Sequence, residues 1–177
     1  MEKIRLASLW LDGCSGCHMS FLDLDFELAE LAGKIELVYS PLGDIKSFPE
    51  AVDAVLIEGA VGSPQHEREL RHVRERSRLV IAFGDCAVTA NVPGMRNLFR
   101  VEDVLRRAYV ENSDAPEGPL PAGLPALLST VRPIHEIIAV DIFLPGCPPP
   151  TEAIRQALSA LLGRQPLAQP AATRFGA

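Results

Sequence analysis

The 177-residue sequence has no run of lysine or arginine, and its 17 basic residues are outnumbered by 23 acidic ones, for a net charge of −6. A surface of that sign is a poor match for nucleic acid or an anionic membrane, so neither is expected as a partner. Long hydrophobic runs are also missing. The longest apolar stretches are strand-sized, well short of the roughly 20 residues that a membrane helix needs. The first residues, MEKIRLASLW, carry no apolar signal core, no small-residue cleavage site and no arginine pair ahead of an apolar run. A cytoplasmic chain without its own export signal is therefore expected. Cysteine is scarce, at four residues. In a reducing compartment those four thiols favour metal binding or redox chemistry over disulfides.

What is present is globular. The sequence is 47% hydrophobic and 23% charged, which suits a single domain over residues 1–177 with a core of its own. Strand-like runs lie at Ile4–Trp10, Ile35–Tyr39, Ala54–Glu58, Leu79–Phe83 and Ile137–Leu144. Several are apolar almost throughout, as in AVLIEGA and LVIAFG, which predicts strands buried on both faces. Between and after them, Phe21–Ala32, Gln65–Arg76, Val101–Tyr109 and Glu152–Leu162 carry helical spacing. Pro64 opens the second of these, and Thr151 is placed as the cap of the last. The alternation predicts a doubly wound α/β fold, with a parallel sheet and helices on both faces. Fifteen prolines cluster partly at Pro116–Pro133 and Pro145–Pro150. The first cluster marks a proline-rich loop over about 111–133, in which LPALLSTV is expected to form a short helix. The tail over about 163–177 has no periodicity and reads as an exposed arm or partner-binding strip.

Each cysteine falls just after a predicted strand. Cys14 and Cys17 follow the first in DGCSGCH, Cys86 the fourth in FGDCAVT, and Cys147 the fifth in FLPGCPPP. In an open parallel sheet, loops after the carboxyl ends of strands share the edge where ligands bind. The four thiols are thus expected to converge there from loops. Gly13 and Gly16 allow a tight turn within the C-x-x-C, and Gly84 and Gly146 precede the other two cysteines. Turn amides of this kind can donate to thiolates and sulfides. Two other uses of a C-x-x-C remain open at this point. Structural zinc usually takes paired knuckles or histidines, whereas Cys86 and Cys147 stand alone. A thioredoxin-like dithiol would leave those two without a role.

The segments GCSGCHMSFLDL, IEGAV, FGDCAVTANVPGMRN and VRPIHEIIAVDIFLPGCPPP resemble the small subunit of [NiFe] hydrogenases, closest to the soluble, cytoplasmic, NAD-reducing type. The resemblance runs from about Leu6 to Leu162. It implies a flavodoxin-like fold. It also implies that Cys14, Cys17, Cys86 and Cys147 hold one proximal [4Fe–4S] cluster, which takes electrons from a nickel–iron site in a separate large subunit. The onward partners it implies are iron–sulfur and flavin subunits of a diaphorase that reduces NAD+. Exported hydrogenase small subunits add a cysteine-bearing region for further clusters. This sequence shows no cysteine after Cys147, so one cluster is expected. The related subunit of respiratory complex I has adjacent cysteines where this sequence reads Cys14-Ser-Gly-Cys17, which argues against that assignment. A hydrogenase with another acceptor and a complex I-related oxidoreductase are the alternatives within the resemblance. A zinc-stabilised flavodoxin-like binding module is the non-redox alternative.

Hydrogen activation itself is not expected of this chain. A nickel–iron site uses two C-x-x-C pairs and only one is present. No FMN is expected either, because the loop that would cradle its phosphate carries thiolates. His66 and His72 read as solvated and His135 as a packing residue, while His18 beside Cys17 is a candidate neighbour of the cluster. Glu58, at the end of the third strand, has two readings. It could couple proton to electron transfer or even reach an iron. Alternatively it accepts hydrogen bonds from loop amides or pairs with a partner's arginine.

Overall fold

The computed structural model describes residues 3–114 and 119–163. Residues 164–177 of the expected tail and residues 115–118 of the proline-rich loop lie outside them. Five strands form one parallel sheet: β1 (Ile4–Trp10), β2 (Ile35–Tyr39), β3 (Val52–Glu58), β4 (Ser77–Phe83) and β5 (Ile142–Leu144). Their order is β2-β1-β3-β4-β5, the flavodoxin-like doubly wound order. Among the described residues seven α-helices accompany them: α1 (Gly16–Leu22), α2 (Phe26–Leu31), α3 (Pro64–Arg76), α4 (Asp85–Thr89), α5 (Asn91–Gly94), α6 (Val101–Arg106) and α7 (Thr151–Leu162).

The continuous apolar strands are explained by a core on each side. Successive side chains of a strand alternate between faces. Leu6, Leu56, Ile81 and Phe83 face a cluster built with Leu24, Ile154 and Leu158, while Leu9, Val55, Ile57 and Val80 face one built with Leu70, Val73 and Ile134. Helices α1, α2 and α7 thus cover one face, and α3 and α4 cover the other. No helix among the described residues is long and apolar enough to cross a membrane.

Several elements differ from the sequence expectation. Phe21–Ala32 is not one helix. It breaks at Asp23–Asp25, where Asp25 has φ of 48°, and the preceding helix begins earlier, at Gly16. No helix lies between β2 and β3; residues 40–51 cross as an irregular connection. The fifth strand is only Ile142–Leu144, and residues 134–136 form a 3₁₀ turn. Ile134, Ile137 and Ile138 are buried, and their spacing of three and one is helical, so a continuous apolar run concealed a turn. The helix at Val101 ends at Arg106 and continues as a π turn over Arg107–Glu111. LPALLSTV forms no helix. Its end is instead pinned by Asn97, whose side chain donates to the Val131 carbonyl and accepts from the Val131 N–H. Thr151 is the first residue of α7 rather than its cap. Pro64 does open α3, with the Ser63 hydroxyl accepting from the His66 N–H.

Candidate metal centre

The sheet register sets the site. Trp10 pairs with Glu58, Glu58 with Phe83, and Phe83 with Leu144. These residues form one row across four adjacent strands at their carboxyl ends. Cys14, Cys86 and Cys147 each follow that row within a few residues, and Cys17 follows Cys14 by one helical turn. All four are free thiols. Two of them do not lie in loops as expected. Cys17 is on the first turn of α1 and Cys86 on the first turn of α4. A helix start holds its side chain more rigidly than a loop does, and its amides face the incoming ligand.

Three polar clamps fix these segments to one another. Glu58 is buried and accepts the His18 N–H at 2.9 Å and the Cys17 N–H at 3.4 Å. The same carboxylate also takes His18 Nδ1. It therefore ties α1 to β3. Asp85 is buried between Gly84 and Cys86, and its Oδ1 accepts the Gly146 N–H at 2.7 Å while its own N–H donates to the Gly146 carbonyl. The Cys86 and Cys147 segments are thus joined directly. The Ser20 hydroxyl donates to the Pro149 carbonyl at 2.6 Å, which ties α1 to the Cys147 loop.

Close packing around the sulfurs leaves no room for larger residues at two turns. Gly84 has φ of +85°, and a Cβ there would lie 2.1 Å from Cys17 Sγ. Gly146 has φ of +133°, and its Cβ would lie 2.6 Å from Pro149. Gly13 packs against the Gly59 backbone and near Glu58, and the Gly16 N–H donates to Cys14 Sγ at 3.4 Å.

The thiols influence one another electrostatically. Burial pushes the Cys17 thiol well up, helped by the Glu58 carboxylate and then by Cys86, Cys14 and Cys147. Burial also raises Cys86, against the lowering effect of a hydrogen bond from the Val92 N–H. Four sulfurs that would repel as thiolates need positive charge between them, and iron supplies it. Among the described residues, no three His, Cys, Asp or Glu side chains gather about a single ion position. A four-iron cluster gives each thiolate its own iron, so four cysteines on three segments could each supply one ligand to it. On that chemistry the four residues fit such a cluster.

The other residues marked from sequence fall as follows. His18 is buried against Phe83 and held by Glu58. His66 is half-buried rather than solvated, because its Nδ1 accepts the Gly62 N–H at 3.4 Å. His72 is exposed, and exposed His135 packs edge-on against Phe143. Sequence reasoning missed Asp85 and Ser20. An acid placed directly before a cysteine in FGDC was the available signal for Asp85; Ser20 had none.

The fold and these four thiols define a flavodoxin-like α/β protein with four cysteines following the carboxyl ends of its strands. Residues 14–161 match the family of the NADH ubiquinone oxidoreductase 20 Kd subunit, and the chain belongs to that family. It is 40% identical to the NAD-reducing hydrogenase HoxS subunit delta of Cupriavidus necator, over 95% of this chain and 83% of that one. It is 39% identical to a subunit of the F420-non-reducing hydrogenase vhu of Methanocaldococcus jannaschii, over 92% of this chain and only 58% of that relative's length. Among solved structures it superposes on a chain of an NAD+-reducing [NiFe]-hydrogenase in the H2-reduced state with a TM-score of 0.91, at 40% identity, covering 98% and 99% of the two chains. The nickel–iron–selenium hydrogenase of Desulfomicrobium baculatum shares the fold, with a TM-score of 0.56 at 16% identity. These relatives are hydrogenase subunits, and this chain is an oxidoreductase subunit of that kind.

Proposed function

We propose that the chain is the electron-transfer small subunit of a cytoplasmic NAD-reducing [NiFe] hydrogenase, folded as one domain without FMN. In this reading Cys14, Cys17, Cys86 and Cys147 hold one proximal [4Fe–4S] cluster. The subunit stands between the nickel–iron site of a large subunit and a diaphorase of iron–sulfur and flavin subunits. Such a cluster supplies a one-electron store. The chain's own residues position the four thiolates, keep Cys17 away from solvent and donate amide hydrogens to sulfur. The observation that carries the reading is the gathering of four thiols from β1, β4 and β5 at one in-register sheet edge. Likeness to the Cupriavidus protein over nearly the whole chain supports the acceptor.

A second reading keeps the cluster and changes the acceptor, because a relative of nearly equal identity belongs to an F420-non-reducing hydrogenase. One experiment addresses both. Each cysteine is replaced by alanine in turn, and the anaerobically purified complex is assayed for iron, acid-labile sulfide and H2-driven NAD+ reduction. Every variant is expected to lose the cluster and NAD+ reduction together. A variant that keeps full iron and turnover removes its residue from the ligand set. A wild-type complex that oxidises H2 with a viologen dye but not with NAD+ establishes the second reading instead.

A further inference from the structure

The loop that carries Cys147 is poor in hydrogen-bond donors. Four of its six residues, Pro145, Pro148, Pro149 and Pro150, are proline and have no N–H to give. Gly146 and Cys147 supply its only two backbone donors. The strand before it, β5, is three residues long and pairs with β4 at the edge of the sheet. The other cysteines are better placed. Ahead of Cys14, the Leu11 and Asp12 N–H groups reach the Glu58 and Ala60 carbonyls, and the Ala60 N–H returns to Asp12. Cys17 and Cys86 stand on the first turns of α1 and α4. Around exposed Cys147, main-chain bonds from Gly84 and Asp85 reach the Leu144 and Gly146 carbonyls and stop short of the cysteine.

Two side chains make up the difference. Asp85 Oδ1 accepts the Gly146 N–H at 2.7 Å, one residue before Cys147. The Ser20 hydroxyl donates to the Pro149 carbonyl at 2.6 Å, two residues after it. Ser20 and Asp85 are buried, at 5% and 6% exposure. Water cannot replace the loop as their partner, so a loop that lifts away leaves these groups unmatched. Ser20 shares α1 with Cys17, and Asp85 adjoins Cys86 on α4. Each of the two helices that bear a cysteine therefore sends one side chain to the loop that bears the last.

We propose that Asp85 and Ser20 are positioning residues for Cys147, gripping its loop on both sides and so holding this thiolate on its iron. The inference rests on the reading of four cysteines around one [4Fe–4S] cluster and assigns these two residues their part in it. With one bond gone the other still pins the loop. With both gone Cys147 leaves its iron. Loss of that iron as Fe2+ from a [4Fe–4S]2+ cluster leaves a neutral [3Fe–4S] core with all its sulfide. Added ferricyanide removes one electron from the core to give [3Fe–4S]+, which EPR detects.

The test treats the anaerobically purified complex with ferricyanide and follows the three-iron EPR signal in excess of that from the wild type. Asp85→Ala and Ser20→Ala should each convert about tenfold faster than the wild type, the scale of one buried hydrogen bond. The double variant should exceed the product of the two single effects, because both bonds hold one loop. Asp85→Asn keeps an oxygen for the Gly146 N–H and should convert at the wild-type rate. Ser20→Ala removes a hydroxyl alone and decides the matter even where Asp85→Ala fails to assemble. A wild-type rate in Ser20→Ala, a double variant at or below the product of the singles, or Asp85→Asn as fast as Asp85→Ala overturns the proposal. A wild-type complex with no four-iron cluster on these cysteines overturns the underlying reading along with it.

Discussion

At the scale of single residues, Glu58 holds two backbone N–H groups and one ring nitrogen on a single buried carboxylate. Glu58→Gln keeps the shape but turns one acceptor into an NH2 that faces donors. A buried donor left unmatched costs about 1–3 kcal/mol. We expect a lower melting temperature and faster loss of iron to a chelator. The pH dependence of the cluster's midpoint potential should stay as in the wild type; a flattened dependence would mean that the carboxylate itself takes up a proton on reduction. Cys17 makes a second prediction. Its raised pKa keeps the thiol protonated at neutral pH, and iron binding must expel that proton. The thiolate fraction grows about tenfold per pH unit below the pKa. Reconstitution of a cluster-free complex with iron and sulfide, followed by visible absorbance, should therefore speed up about thirtyfold between about pH 7 and about pH 8.5 where this deprotonation limits the rate. A rate independent of pH would show that deprotonation of this thiol is not limiting. The cysteines were legible in the sequence because strand ends announce themselves and parallel topology does the rest. Asp85 and Ser20 were not, since their partners lie 61 and 129 residues away, and no local pattern encodes such a pairing.

At the scale of elements, the turn between β4 and α4 is as much a part of the site as its ligands. Gly84→Ala would place a methyl group where Cys17 Sγ lies, on a backbone at positive φ. It should abolish the cluster although all four cysteines remain, as judged by iron and sulfide content. Retention of a full cluster would mean that the turn can move aside. Strands β1, β3 and β4 were readable from apolar runs because burial on both faces leaves nothing else for such a run to do. The same signal failed at 137–141. There apolar residues at helical spacing cover the sheet face as a turn, and only the last three residues of the run join β4. Helix α4 carries no periodic signal, being five residues long, and its existence depends on the bonds from Val88 and Ala87 back to Gly84.

At the scale of the whole molecule, the cysteine edge is bordered by large exposed apolar side chains. Trp10 ends β1 and Met19 lies on α1. Val92, Met95, Leu98 and Phe99 lie in the segment that follows α4, with Leu98 and Phe99 at 82% and 64% exposure. The Val92 N–H reaches Cys86 itself, so this second group adjoins one of the four cysteines. Large apolar side chains left exposed together in one short segment mark a surface suited to burial. Replacing Leu98 and Phe99 together by Ser should weaken association with the large subunit by about a hundredfold, at one to two kcal/mol per anchor. Size-exclusion chromatography of the complex checks this, and intact co-elution at nanomolar concentration would exclude the patch from the interface. The in-register row Trp10–Glu58–Phe83–Leu144 has one further consequence, for how such a chain can vary in length. Adding or removing one residue between the row and any cysteine turns that side chain by about 100° where it lies on a helix start, at Cys17 and Cys86, and so aims its sulfur away from the other three. The two segments after β1 and β4 are therefore closed to insertion and deletion, and length change is left to the connections that approach the sheet from its opposite edge.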